Sequence, residues 1–79
     1  MYYVQKEGVY FHGIFWIGDS PEEGVAQANQ LAKNDQDSYH YWRVYKYIGS
    51  GEDKIMYSIN KNQANPSIDR VGNLSKDGL

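Results

Sequence analysis

The chain has 79 residues, enough for one small domain, and its lack of cysteine excludes disulfides and thiolate zinc sites. Its formal net charge of −2 repels nucleic acid overall. No apolar run approaches the length of a membrane span, and the start, MYYVQKEG, lacks the features of a signal peptide, so we expect a cytoplasmic protein.

The first predicted unit is a β-hairpin. The short run YYVQ at 2–5 is β-prone, and the following KEG at 6–8 offers Gly8 for a tight turn. The next run, VYFHGIFWIG at 9–18, is apolar on both faces, which is typical of a strand that is central or covered on both sides. We therefore predict a hairpin that pairs 2–5 with 9–17.

A helix start follows in DSPEEG at 19–24. Ser20 is the predicted N-cap, Pro21 takes the first helical position, and Glu23 completes an S-x-x-E capping box. The predicted helix covers 21–33. Its apolar stripe consists mostly of small residues, which allows close approach to a sheet: Val25, Ala28, Leu31 and Ala32.

A second hairpin is predicted after the helix, from YHYWRVYKYI at 39–48, the loop GSGED at 49–53 and the alternating run KIMYSIN at 54–60. In that last strand we expect Ile55, Tyr57 and Ile59 to share one face. The prediction is thus a single α+β domain over 1–60, β-β-α-β-β, with a four-stranded antiparallel or mixed sheet and one helix on one face. Residues 61–79 are polar and predict an extended or partly disordered tail.

The strand at 39–48 carries tyrosines at alternating positions around an arginine. Its other face is more hydrophobic, through Trp42, Val44 and Ile48, and should contact the helix. We call the tyrosine-bearing side the tyrosine face, and it comprises Tyr39, Tyr41, Arg43, Tyr45 and Tyr47.

The tyrosine face has three interpretations. Cross-strand tyrosine pairs stabilise an ordinary outer sheet face. An aromatic patch around an arginine also matches the composition of protein interfaces, and we add Tyr57 to these candidate contact residues. A small nucleic-acid-binding domain is the alternative, since exposed aromatics on a sheet can stack bases, although matching basic residues are few.

Catalytic chemistry is not indicated by any motif in the sequence. No nucleophile elbow, zinc-protease motif or phosphate-binding loop occurs, so we expect a non-enzymatic protein without cofactor or metal. His12 and His40 could approach each other across paired strands. A histidine in a strand among aromatics is, however, usually a packed or surface side chain.

The order of YFHGIFWIG, EEGVAQANQLAK and YHYWRVYKYI resembles small phage-encoded inhibitors, among them several anti-CRISPR proteins. Those proteins pack a short helix of A-x-x-x-A type on an antiparallel sheet. The resemblance covers roughly residues 2–60 and concerns size, composition and element order. It implies a protein that binds a host protein or ribonucleoprotein complex, such as a CRISPR effector, and blocks it in the host cytoplasm.

Self-association is a further hypothesis. A short chain with an apolar-leaning outer face gains buried surface by pairing with itself, usually as a two-fold homodimer.

Overall fold

The computed structural model describes residues 1–10 and 12–64, which form four strands and one helix. The elements are β1 (Tyr2–Glu7), β2 (His12–Gly18), α1 (Pro21–Asn34), β3 (Tyr41–Lys46) and β4 (Lys54–Asn60). The predicted order β-β-α-β-β and α+β class are confirmed. Of the predicted tail, 61–64 form a turn after β4 and the remainder lies outside the described residues. No described helix has the length and apolar character needed to cross a membrane.

All strands pair antiparallel in one sheet of order β2-β1-β3-β4. β1 is central and pairs with both β2 and β3, while β2 lies at an edge. The interpretation of β2 as a central or doubly covered strand is therefore wrong. Its large side chains remain half exposed, as Ile14, Phe15 and Ile17 show.

The hydrophobic core lies between α1 and one face of the sheet. Its fully buried side chains include Val4 of β1, Val25 of α1, Val44 of β3 and Ile59 of β4. Trp42 and Val44 face this core, as the sequence predicts. We call the opposite sheet surface, which no described element covers, the outer face.

Close contact between α1 and the sheet depends on a glycine. A Cβ at Gly24 would come within 3.1 Å of the Trp16 ring and 3.2 Å of the Val44 side chain. Such distances are shorter than ordinary van der Waals contact. Gly24 therefore lets the helix lie directly on the aromatic and aliphatic side chains of β2 and β3.

The helix begins as the sequence predicts and ends one residue later, at Asn34. Ser20 has extended backbone geometry and accepts a hydrogen bond from the backbone N–H of Glu23 at 3.2 Å. Its hydroxyl donates to the carboxylate of Glu22 at 3.3 Å. The carboxylate in contact with the cap is thus that of Glu22, one residue before the predicted partner.

A β-bulge interrupts each edge strand. Val4 pairs with Trp16 and Gln5 with Ile14, which leaves Phe15 as the extra residue in β2. In β4 the pairs Val44–Tyr57 and Tyr45–Ile55 leave Met56 as the extra residue. The prediction that Ile55, Tyr57 and Ile59 share one face is therefore wrong, because the bulge shifts the alternation.

Candidate contact face

The structure divides the predicted contact residues among three environments. Tyr41, Arg43 and Tyr45 lie on the outer face of β3, as predicted. Tyr39 precedes the strand and Tyr47 follows it, with exposed fractions of 81% and 52%, so the strand is shorter than the predicted 39–48.

Tyr57 does not lie on the outer face. It pairs with Val44, and its hydroxyl accepts a hydrogen bond of 3.0 Å from the Asn29 side chain of α1. The same Asn29 amide donates to the backbone oxygen of Val25 at 3.0 Å. Tyr57 therefore has a structural role on the helix side and does not share the outer face with the candidate contact residues of β3.

An apolar row crosses the outer face perpendicular to the strands. The register places Tyr3 opposite both Ile17 and Tyr45, and Tyr45 opposite Ile55. We call Ile17, Tyr3, Tyr45 and Ile55 the apolar row. The Tyr3 and Tyr45 rings stack with centroids 5.1 Å apart, and Tyr3 is only 9% exposed. The two isoleucines at the ends remain 59% and 49% exposed.

Asp53 anchors Tyr3, an inner member of the apolar row, to the β3–β4 loop. The Tyr3 hydroxyl donates to its carboxylate, which also accepts from the backbone N–H groups of Ile48 at 2.9 Å and Gly49 at 2.8 Å. Burial and the hydrogen bond to Asp53 raise the pKa of Tyr3. The same bond from Tyr3, followed by the two backbone bonds, lowers the pKa of Asp53. The Tyr3 ring is thereby fixed in place before any partner binds.

A polar network built on Glu7 lies beside the apolar row. Arg43 Nη1 donates to Glu7 Oε1 at 2.6 Å, while the Tyr45 hydroxyl and Gln5 Nε2 donate to Glu7 Oε2, the latter at 2.9 Å. Burial and the bond to Glu7 raise the pKa of the Tyr45 hydroxyl. The network orders these side chains and neutralises the carboxylate.

Arg43 is held by three neighbours on this face. Besides the ion pair with Glu7, its Nε donates to Ser58 Oγ at 3.1 Å, and its guanidinium lies 5.3 Å from the centroid of the Tyr41 ring. The side chain is 31% exposed. Its charge is therefore already balanced, and the outer face is nearly neutral around it.

A second polar cluster lies at the end of α1, centred on Asp35. Asp35 Oδ2 accepts from Trp42 Nε1 and contacts His40 Nδ1, both at 3.0 Å, and lies 3.5 Å from Lys6 Nζ. Burial acts to raise the pKa of Asp35. Hydrogen bonds from Asp37 N–H, His40 and Trp42, with the charge of Lys6, outweigh burial and lower it. The cluster joins the helix end to β1 and β3.

The two histidines do not meet. His12 is in the edge strand β2 opposite Glu7, whereas His40 precedes β3 and contacts Asp35 and Asp37. β1 separates β2 from β3. Within residues 1–10 and 12–64, no group of three or more histidine, aspartate or glutamate side chains could hold a metal ion.

The sequence prediction did not include several residues of the outer face, among them the members of the apolar row and of the polar network on other strands: Tyr3, Glu7, Ile17 and Ile55. Each lies on a strand other than β3, so periodicity within one strand could not join them to the tyrosine face. One sequence signal could have indicated Tyr3, namely the tyrosines that both YYVQ and YWRVYK contain, because such residues are suited to stacking across paired strands.

Chemically, this face offers an ordered aromatic centre, exposed aliphatic ends and a neutralised polar border, an arrangement suited to contact rather than to proton transfer.

Comparisons with protein-family models, with curated proteins and with solved structures returned no match for this chain.

Proposed function

We propose that this protein is a non-enzymatic binding protein whose outer sheet face docks onto a protein partner. The observation that carries the proposal is the apolar row on the sheet surface opposite the helix. Ile17 and Ile55 present more than two fifths of their surfaces there, beside a stacked and hydrogen-bonded tyrosine pair. Ordered aromatics surrounded by polar groups are typical of the centre of protein interfaces.

The dimensions of the domain suit such an interface. Its two longer principal extents are 30 and 29 Å. A standard protein interface covers about 800 Å² on each partner. One face of the sheet is thus comparable in size with a complete stable contact.

The ordering of the face also favours binding. Tyr45, Arg43 and Tyr3 are each held by hydrogen bonds within the domain. Side chains that are already immobilised lose little conformational entropy when a partner arrives. The partner can therefore use the stacked tyrosines as a rigid platform.

The partner we propose is a host defence complex, a protein or ribonucleoprotein such as a CRISPR effector, which the chain would block stoichiometrically. The resemblance to small phage-encoded inhibitors in size, composition and element order supports this partner. An inhibitor of this type needs only a contact surface, and the apolar row provides one.

The proposal can be tested with reconstituted CRISPR effector complexes of several types, each loaded with guide RNA. The chain should bind one of them and abolish its binding of target DNA at an equimolar ratio. Ile55→Lys should weaken this inhibition at least tenfold, because it places a charge at the end of the apolar row. Gln30→Lys, which adds the same charge at an exposed position on α1, is the matched control and should inhibit like the unmodified protein.

Failure to bind any of these complexes would refute the inhibitor proposal. Equal inhibition by Ile55→Lys and the unmodified chain would instead remove the outer face from the contact.

Nucleic-acid binding through the same face is the alternative, and the charge distribution disfavours it. Phosphate binding needs cationic side chains that can displace the counterions of the nucleic acid. Arg43 is already paired with Glu7. We expect no gel shift with single-stranded or duplex probes at about 50 mM salt, where electrostatic binding is strong. A shift that weakens steeply with added salt would restore this alternative.

A further inference from the structure

The free edge of β2 has a feature that the proposed function does not use. β2 ends the sheet order, so one of its edges has no strand partner among residues 1–10 and 12–64 and presents backbone N–H and C=O groups there. Between His12 and Gly18 it has no formally charged residue, and Ile14, Phe15 and Ile17 are 54%, 56% and 59% exposed. Exposed edge strands are usually protected by charged side chains, proline or a β-bulge, and of these β2 has only its bulge at Phe15.

The sequence of this strand is also chemically palindromic. Residues 12–19 read HGIFWIGD, so Gly-Ile-aromatic is followed by aromatic-Ile-Gly. We propose that two copies of the chain pair antiparallel through β2, about a two-fold axis between Phe15 and Trp16. Ile14 would then lie opposite Ile17 of the second copy, and the two sheets would join into one of eight strands.

The faces of β2 fit this register because of its bulge. Ile14 and Ile17 pair with Gln5 and Tyr3, so both lie on the outer face although they are three residues apart. Phe15 and Trp16 both lie on the helix side, where Phe15 contacts the Trp42 ring edge-on with centroids 5.0 Å apart. Directly opposite residues of an antiparallel pair share a face, and this register satisfies that condition at every position.

The ends of the strand are complementary as well. The same register places His12 of one copy opposite Asp19 of the other, so an imidazole meets a carboxylate at both ends of the pair. Gly13 meets Gly18, so the ends carry no bulky side chain on the helix side. A strand whose two ends carried charges of the same sign would lack this complementarity.

A second copy is thus a better occupant than an unrelated strand, because the strand complements itself. The other edge strand differs, since β4 begins with Lys54 and is followed directly by Lys61. Two copies paired through β4 would gain no palindromic match. The inference does not depend on the proposed function, because it rests on the backbone edge of β2 and shares only Ile17 with the apolar row.

Sedimentation velocity of the full chain tests this pairing. A single chain has a mass of 9.1 kDa, and at micromolar to millimolar concentration we expect a second species of twice that mass. Ile14→Lys should shift the dissociation constant at least tenfold towards monomer. Ile55→Lys, on the other edge and equally exposed on the same face, should leave the dimer unchanged.

A single-chain mass at every concentration would overturn the inference, as would equal weakening of the dimer by the two lysine variants. Because Ile55→Lys is expected to lose the partner and keep the dimer, failure here is distinguishable from failure of the proposed function.

Oxidative crosslinking tests the register itself, since the chain has no cysteine of its own. Opposite residues in an antiparallel pair have Cα atoms about 4.5–5.5 Å apart, within the range that disulfides span. An equimolar mixture of Ile14→Cys and Ile17→Cys chains should form the mixed disulfide well beyond the excess that random pairing of the two chains already gives. Products in the binomial ratio of random pairing would show that the strands do not pair in this register.

Discussion

Replacing Asp35 by alanine removes the carboxylate that joins the end of α1 to β1 and β3. The largest consequence concerns Trp42, which is 3% exposed and donates its indole N–H to Asp35. A buried donor left without an acceptor costs about 1–3 kcal/mol. We therefore expect Asp35→Ala to destabilise the domain markedly.

Further losses come from the other contacts of the same carboxylate. It accepts the Asp37 N–H at 3.1 Å and contacts His40 and Lys6, whose side chains are 18% and 19% exposed. Partly exposed polar contacts contribute roughly 1 kcal/mol together. A total loss of about 2–4 kcal/mol would lower the melting temperature of a domain of this size by roughly 10–25 °C.

Urea and thermal unfolding followed by circular dichroism would measure the loss. Trp42→Phe keeps a ring but deletes the N–H, so in that background Asp35→Ala should cost about 1–3 kcal/mol less. Two changes that add within about 0.5 kcal/mol would refute the assigned role of the indole hydrogen bond. An Asp35→Ala protein that melts within about 2 °C of the unmodified chain would refute the role of the whole cluster.

Three further predictions concern individual side chains. The contacts of Asp35 outweigh burial and hold its pKa below the ordinary 3.8. The stability difference between the unmodified chain and Asp35→Ala should therefore be full above about pH 5 and shrink as the pH falls through the folded-state pKa, which acid unfolding titrations can measure. Burial and a carboxylate acceptor raise the pKa of Tyr3 and of Tyr45, so their stabilising effect is full below about pH 10 and falls as the pH rises from there through the raised folded-state pKa. An absorbance titration should show a late ionisation step that Tyr3→Phe reduces. Ser20→Ala should cost about 0.5–2 kcal/mol in urea unfolding, whereas Asp19→Ala should cost less than about 0.5 kcal/mol, and the reverse order would mean that Asp19 is the true cap.

Local signals in the sequence were sufficient to predict the order of the secondary-structure elements and the start of the helix. Ser20, Pro21 and the acidic first turn define a helix boundary through contacts within four residues. The two faces of β3 were also predictable, because Trp42 and Val44 alternate strictly with Tyr41, Arg43 and Tyr45. These features depend on neighbours in the chain.

The strand order and the contact face depend on neighbours far apart in the chain. The sequence pattern alone could not show that the apolar strand β2 lies at an edge. β3 could have paired with the free edge of β2 as well as with that of β1. The bulges at Phe15 and Met56 each add one residue without an obvious sequence signal, and the second separates Ile55 on the outer face from Tyr57 on the helix side. The apolar row arises only when four strands align.

The position of β1 between β2 and β3 determines how the sheet can assemble during synthesis. β1 and β2 can pair at once, but the other edge of β1 must wait for β3, which starts 34 residues after β1 ends. At ribosomal speeds this delay lasts roughly 2–7 s. Until α1 is complete Val4 has no helix against it, and until β3 emerges the nascent hairpin keeps two open edges. The contacts between β1 and β3 are therefore among the last that this small domain can form, and completion of the fold coincides with the emergence of β3 and β4 from the ribosome.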